Sequence, residues 1–268
     1  MVQDIGSVAG LYPRSELTPL SELQGRAGRL QAAMREADLD GVMATQNADV
    51  FYLSGAVQQA QVYLPVEGEP LMMVRKHFGR AEADSALGKG WGRIVAVRSL
   101  RELPGLIEEA CGRKPLSIGW ELDTLPVLTF GAYERALESL GARLVDGADL
   151  FKRVRAIKSD YEVKQIRRAA GISDVIVQAA SRFLREGISE IELAARVEAE
   201  ARIAGHSGVQ RMRVAGQEMH MGHVLGGESG AVPSFMNSPQ GGPGLGPWMP
   251  FGASRRQIKR GEPVLLDF

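Results

Sequence analysis

The chain has 268 residues, 44% hydrophobic and 24% charged, the make-up of a soluble globular protein with room for one large domain or two ordinary ones. Its 32 basic residues balance 32 acidic ones, so no electrostatic footprint points to nucleic acid or to an anionic membrane. No apolar run reaches the roughly 18–20 residues of a membrane span, Asp4 interrupts any signal-type leader, and one cysteine, Cys111, excludes an internal disulfide framework and fits a reducing cytoplasm.

Residues 1–19 read as an irregular lead-in. Ser21–Ala37 has helical periodicity, with Leu23, Ala27, Leu30 and Met34 on one face. Gly41–Ala44 is a short apolar strand. Asn47 opens a turn ahead of the apolar run Val50–Leu53, which Ser54-Gly55 stops. Gln61–Leu64 and Leu71–Val74 are strands around the turn Glu67-Gly68-Glu69-Pro70. Phe78–Leu87 is helical, Ile94–Val97 a strand, Leu100–Cys111 a helix, Leu116–Gly119 a strand, Val127–Leu140 a helix, and Arg143–Val145 a last strand. Strands alternating with helices predict a layered α/β domain with a mixed sheet, here residues 1–153. Chemistry is sparse in it. Glu121 and Asp123 are a candidate carboxylate pair, but an exposed acid beside a helix-capping one explains them better. His77 follows Arg75 and Lys76 on what reads as a solvated basic edge. Cys111 beside Gly112 reads as a helix-end residue, not a nucleophile.

A second domain is predicted over 154–268. Phe151–Lys158 is a basic connector. Ser159-Asp-Tyr-Glu162 has the capping-box form, in which Ser and Glu side chains satisfy two free backbone N–H groups. The helix after it spaces Val163, Ile166, Ala170, Val177 and Ala180 along one face, and Gly187 ends it. Ser189-Glu-Ile-Glu192 repeats the box before a second helix to Ala204.

From Gly205 to Glu262, 13 of 58 residues are glycine. Gln210–Val214, His223–Leu225 and Val232–Phe235 are candidate short strands. Asn237–Pro250 holds four Gly and four Pro and is a loop. Its end, Trp248, Met249 and Phe251, is expected to pin it to the core. His220 and His223 sit three apart with no third donor at motif spacing, and read first as strand and turn histidines. Gly227-Glu-Ser229-Gly-Ala lacks the last glycine of a nucleophile elbow. Arg260-Gly-Glu-Pro263 then turns the chain into the run Val264-Leu-Leu, a buried strand that delivers Asp267 at its end. A buried, unpaired carboxylate is costly unless neutralised, paired or bound to a metal.

Arg155-Ala-Ile-Lys158-Ser159-Asp-Tyr-Glu162 with Ile166 and Ala169-Ala170 resembles the opening of the pita-bread domain of the creatinase, prolidase and aminopeptidase P family. Asn47, Tyr52-Leu-Ser-Gly55 and Glu121-Leu-Asp123 resemble landmarks of that family's N-terminal domain. Gly261-Glu-Pro-Val-Leu-Leu-Asp267 resembles the strand with the family's first metal-binding aspartate. The resemblance implies a creatinase-like α/β N-terminal domain followed by an incomplete α+β pita-bread domain. It implies a cytoplasmic metal-dependent peptidase of the Xaa-Pro aminopeptidase or prolidase type, a peptide substrate and a homodimer.

In that family two divalent ions, for which Mn, Co or Zn suit, share two Asp, one His and two Glu. Only Asp267 matches a ligand position here, so the chain is expected to be a fragment, inactive as given and without stably bound metal. Proline-specific members place a substrate-binding His seventeen residues before the first aspartate, where this sequence has Pro250; His220, His223 and Trp248 are weaker substrate-binding candidates. The rival expectation is a non-catalytic pita-bread module that holds peptides or protein partners.

Overall fold

A computed structural model describes residues 16–213, 219–238 and 240–268. The lead-in up to residue 15 and Val214, the end of one expected strand, lie outside the described residues. The chain divides into two compact units, with the break between Lys158 and Ser159.

The first unit opens with α1 (Leu20–Glu36), which buries Leu23, Ala27, Leu30 and Met34 as its periodicity predicts. Six strands follow: β1 (Gly41–Ala44), β2 (Ala60–Pro65), β3 (Leu71–Val74), β4 (Arg93–Ala96), β5 (Ser117–Trp120) and β6 (Arg143–Asp146). They form one mixed sheet in the order β4-β3-β2-β1-β5-β6. β2 runs antiparallel to both β1 and β3, and the other pairs are parallel. Side chains alternate between two cores, because successive strand residues point to opposite faces. Val42, Ala44, Val62, Leu64, Met72 and Val74 join one core; Met43, Tyr63, Leu71, Met73, Ile118 and Trp120 join the other. Apolar runs without polar alternation are the mark of strands covered on both sides.

Two expectations for this unit are corrected. The run after Asn47 is a helix, α2 (Asn47–Ser54). Gln46 makes it one, since its side-chain oxygen accepts from Ala48 N at 2.6 Å and Asp49 N at 3.2 Å. Gly55 ends it at φ 72°, a left-handed conformation that favours glycine. The basic connector is mostly helix too. After α3 (Phe78–Asp84), α4 (Leu103–Cys111) and α5 (Val127–Leu137), α6 (Ala148–Ala156) buries Ala148, Leu150 and Phe151. Its arginines hid three core residues from a composition reading.

In the second unit, α7 (Asp160–Phe183) and α8 (Glu190–Ile203) cover a two-stranded antiparallel sheet of β7 (His223–Gly226) and β8 (Val264–Asp267). The predicted box at α7 forms in full. Ser159 Oγ accepts from Glu162 N at 3.1 Å, and Glu162 Oε2 accepts from Ser159 N at 2.9 Å. At α8 only half forms. Ser189 Oγ accepts from Glu192 N, while the Glu192 carboxylate turns outward to Arg185 and Arg196. The buried face of α7 also differs from the predicted one. Ala180 is inside as predicted, together with Ile176 and Ala179, whereas Ile166, Ala170 and Val177 are exposed. Gln210–Arg213 and Val232–Phe235 are not strands; after β7 a 3-10 turn, Gly227–Ala231, diverts the chain.

Replacing Ser159 by Ala removes one half of the α7 box and is expected to destabilise the second unit by about 1 kcal/mol. Urea unfolding followed by far-UV circular dichroism measures it; an unchanged midpoint would mean the cap contributes nothing.

Candidate functional site

The second unit's sheet is held from behind by one carboxylate. Glu190, the first residue of α8, is fully buried. Its Oε1 accepts from Gly226 N at 2.8 Å; its Oε2 accepts from Ser254 N at 3.0 Å and Ser254 Oγ at 2.6 Å. One acid therefore ties a helix start, the end of β7 and the segment leading to β8.

β7 then sets the register of β8. Val224 pairs with Leu266 and packs in the core with the helices. Alternation places the neighbouring pairs, His223 with Asp267 and Leu225 with Leu265, on the other face. Gly222 is needed where the strands close: a Cβ there would lie 2.4 Å from the Asp267 carbonyl oxygen and from the Phe268 ring. The preceding turn is fixed by Glu262, whose carboxylate takes Arg256 Nη1 at 2.8 Å and Nη2 at 2.6 Å and also accepts from Lys259 N. The Arg256 guanidinium, helped by that amide, holds the Glu262 carboxyl well below the usual range, at about 2.

Asp267 is exposed, which corrects the expectation of a buried strand and acid; Val264, Leu265 and Leu266 are half-buried. Opposite it, His223 is 2% exposed, and among the described residues neither ring nitrogen has a hydrogen-bond partner. Its ring meets Phe251 edge-on at 4.4 Å. His220 stacks on Phe251 from elsewhere, rings 5.8 Å apart, with Nε2 3.2 Å from the Phe251 carbonyl oxygen. The expected pinning of the loop end splits: Phe251 is buried, but Trp248 is 76% exposed and Pro250 lies on the surface. Ser229 is buried in the 3-10 turn, not presented at a strand-to-helix elbow.

Among the described residues, no group of three or more His, Cys, Asp or Glu is placed to hold a metal ion. Among the described residues, Asp267 and His223 fit one edge of a metal centre, an exposed carboxylate at the strand position opposite a buried imidazole without a hydrogen-bond partner. They do not make up a two-ion centre.

In the first unit, the flagged acids Glu121 and Asp123 take separate partners. Asp123 pairs with Lys152 at 3.0 Å. Glu121, fully buried, caps α2 from outside its sequence: its Oε2 accepts from Thr45 N at 2.6 Å, Thr45 Oγ1 at 3.1 Å and Gln46 N at 2.9 Å. Beside it lies buried Asp49, paired with Arg155 Nη1 at 2.6 Å. Burial first, and then the Asp49 carboxylate, push the Glu121 carboxyl up to about 8. The true neighbour of Glu121 is thus Asp49, on another element and invisible to local spacing. Of the residues that carry the family resemblance, Glu121 and Arg155 meet at Asp49, and the Arg155 guanidinium lies 5.9 Å from the Tyr52 ring. His77 is exposed, and Cys111 is half-buried beside the Tyr63 hydroxyl.

Residues 26–157 match the creatinase/prolidase N-terminal domain family, and residues 164–268 match metallopeptidase family M24. The Xaa-Pro dipeptidase of Pyrococcus horikoshii is 28% identical over 167 residues, 62% of this chain and 44% of its own. Among solved structures, the Xaa-Pro dipeptidase from Bacillus anthracis superposes with a TM-score of 0.70 at 22% identity, over 91% of this chain and 60% of that one. The prolidase from P. horikoshii superposes with a TM-score of 0.66 at 21% identity, over 90% and 59%. At these identities the structural matches establish the fold. The chain spans 44% to 61% of the length of the curated relatives it matches.

The Glu121 carboxyl gives the first unit a pH dependence whose sign is fixed. Its folded pKa lies above its unfolded one, so its contribution is complete below the ordinary carboxylate range and is lost as pH rises through about 8. Thermal stability of the wild type should fall between about pH 5 and pH 8. Glu121→Gln, which stays neutral, should flatten that fall in a melting series; an equal slope in both proteins would contradict the assignment.

Proposed function

Because the chain belongs to the creatinase and prolidase family, with that family's N-terminal domain followed by an M24 metallopeptidase domain, we propose that it serves a metal-dependent peptidase of the Xaa-Pro dipeptidase or aminopeptidase P type. The observation that carries this reading is Asp267. A braced strand presents its carboxylate, exposed, at the position where the family resemblance puts a metal ligand. Divalent ions bound there, with Mn, Co or Zn suited to such ligands, supply Lewis-acid activation of water. This chain's own share is the placing of Asp267. Glu190 holds β7, β7 fixes β8 in register, and Arg256 with Glu262 sets the turn into β8. The substrate class is short peptides. Exposed Trp248 and Phe235 offer apolar contact to them. By the family resemblance Asp267 is the one ligand of five that this sequence matches, and on this proposal the 268-residue chain by itself is inactive. A homodimer and a cytoplasmic location belong to the same proposal.

One observation favours a second reading, a non-catalytic module that holds peptides. Pro250, which can neither bind a proton nor donate a hydrogen bond, stands at the surface where proline-specific relatives have a histidine.

The test is hydrolysis of Xaa-Pro dipeptides, with added Mn(II), Co(II) or Zn(II), by the native protein from its source cells and by the 268-residue chain. Metal-dependent turnover by the native protein, and turnover lower by about a thousandfold or more from the 268-residue chain, is expected. Peptide binding without turnover in the native protein would move the assignment to the second reading. Equal turnover by both would contradict the claim that Asp267 alone is too few ligands.

A further inference from the structure

We propose that His223 is a metal-binding residue of this face, giving one imidazole nitrogen, beside the Asp267 carboxylate, to a divalent transition-metal ion. The inference deepens the peptidase reading and rests on it for the role of Asp267. Three independent features carry it.

The first is register. His223 and Asp267 are directly opposed in the antiparallel pair, so their side chains leave the same face of the sheet at neighbouring positions. The register cannot slip by one residue without carrying Val224 and Leu266 out of the helix-covered core. Gly222 lets the strands close tightly there, since a Cβ on it would meet the Asp267 carbonyl oxygen and the Phe268 ring.

The second is an unmet hydrogen-bonding demand. A neutral imidazole carries one donor and one acceptor nitrogen. Both nitrogens of His223 are buried, and neither has a partner among the described residues. Buried polar atoms in folded proteins are nearly always satisfied, and an exception points to a functional group or to a missing ligand. His220 and His206 are not in this position, since His220 Nε2 meets the Phe251 carbonyl and His206 Nδ1 accepts from Gly208 N at 3.0 Å.

The third is pre-orientation. Phe251 packs edge-on against His223 and is itself held by His220 and by the ring of Phe235 at 6.1 Å. The imidazole is thus kept in one orientation by packing, as a ligand must be, and not by a hydrogen bond that metal binding would have to break. An imidazole nitrogen and a carboxylate oxygen together suit borderline divalent ions such as Zn(II), Co(II) or Mn(II). Two protein donors leave the other coordination positions open to water or to further ligands.

The chain has four histidines, so the ring nitrogens of 15N-histidine-labelled wild type can be followed one by one during Zn(II) addition. The proposal expects the His223 ring to respond first, near one equivalent, ahead of His77, His206 and His220. Calorimetric titration with Co(II) should show His223→Gln and Asp267→Asn each weakening binding by about tenfold or more. If His223→Gln does not fold, the wild-type spectrum decides alone. An unmoved His223 ring while other histidines respond would overturn the proposal, and so would Co(II) affinity unchanged in a folded His223→Gln. The two readings fail separately. Zinc at His223 with no peptide turnover by the native protein removes the peptidase and keeps the site, whereas turnover with an unmoved His223 removes the site and keeps the peptidase.

Discussion

A single buried carboxylate organises the half of the molecule in which chemistry is expected. Among the described residues Glu190 is satisfied by two backbone N–H groups and one hydroxyl, and it sits at a helix start. Hydrogen bonds to a charged group are worth about 1.5–3 kcal/mol each, and burying the acid without them would be prohibitive. The three contacts therefore stand or fall together. They fix where β7 ends and where the Ser254 segment crosses α8. Backbone bonds reinforce the crossing, from Glu190 N to the Arg256 carbonyl and from Ile191 N to the Ser254 carbonyl, each 3.0 Å.

The face bearing Asp267 follows from that brace. With β7 anchored, the pair Val224–Leu266 turns inward, and the pair His223–Asp267 must turn the other way. The glycine-rich segment 241–252 then lies against Leu225 closely enough that a Cβ on Gly242 would sit 2.5 Å from the Leu225 Cδ2. This explains the composition of the stretch. The chain needs glycine to approach a strand so closely, and proline to cross it without unpaired N–H groups. Phe251 closes the packing and aims His223.

What the sequence made legible was local. The Ser159–Glu162 box and the stripe of α1 rest on contacts within a few residues, the apolar runs of the first unit's strands read directly from the chain, and these are found where expected. The carboxylate at the end of β8 was legible as well, though not its exposure. Long-range partners were not. Glu190 looks like any acid in a first helical turn, and nothing near it names Gly226 or Ser254. Glu121 was paired with Asp123 by spacing, while its real neighbour, Asp49, comes from α2. α2 and α6 were missed for a related reason: a glutamine cap and a basic exterior are weak signals beside the buried faces that make these segments helical. His223 gave only a two-residue spacing. Its significance lies in register and in the absence of a partner, which no linear pattern carries.

Amide hydrogen exchange tests the brace at Glu190 most directly. In Glu190→Ala, the amides of β7 and β8 should lose most of their protection, while those of the six-stranded sheet in the first unit keep theirs. Unchanged protection at Val224, Leu225 and Leu266 would contradict the claim that this carboxylate positions the strand that carries Asp267.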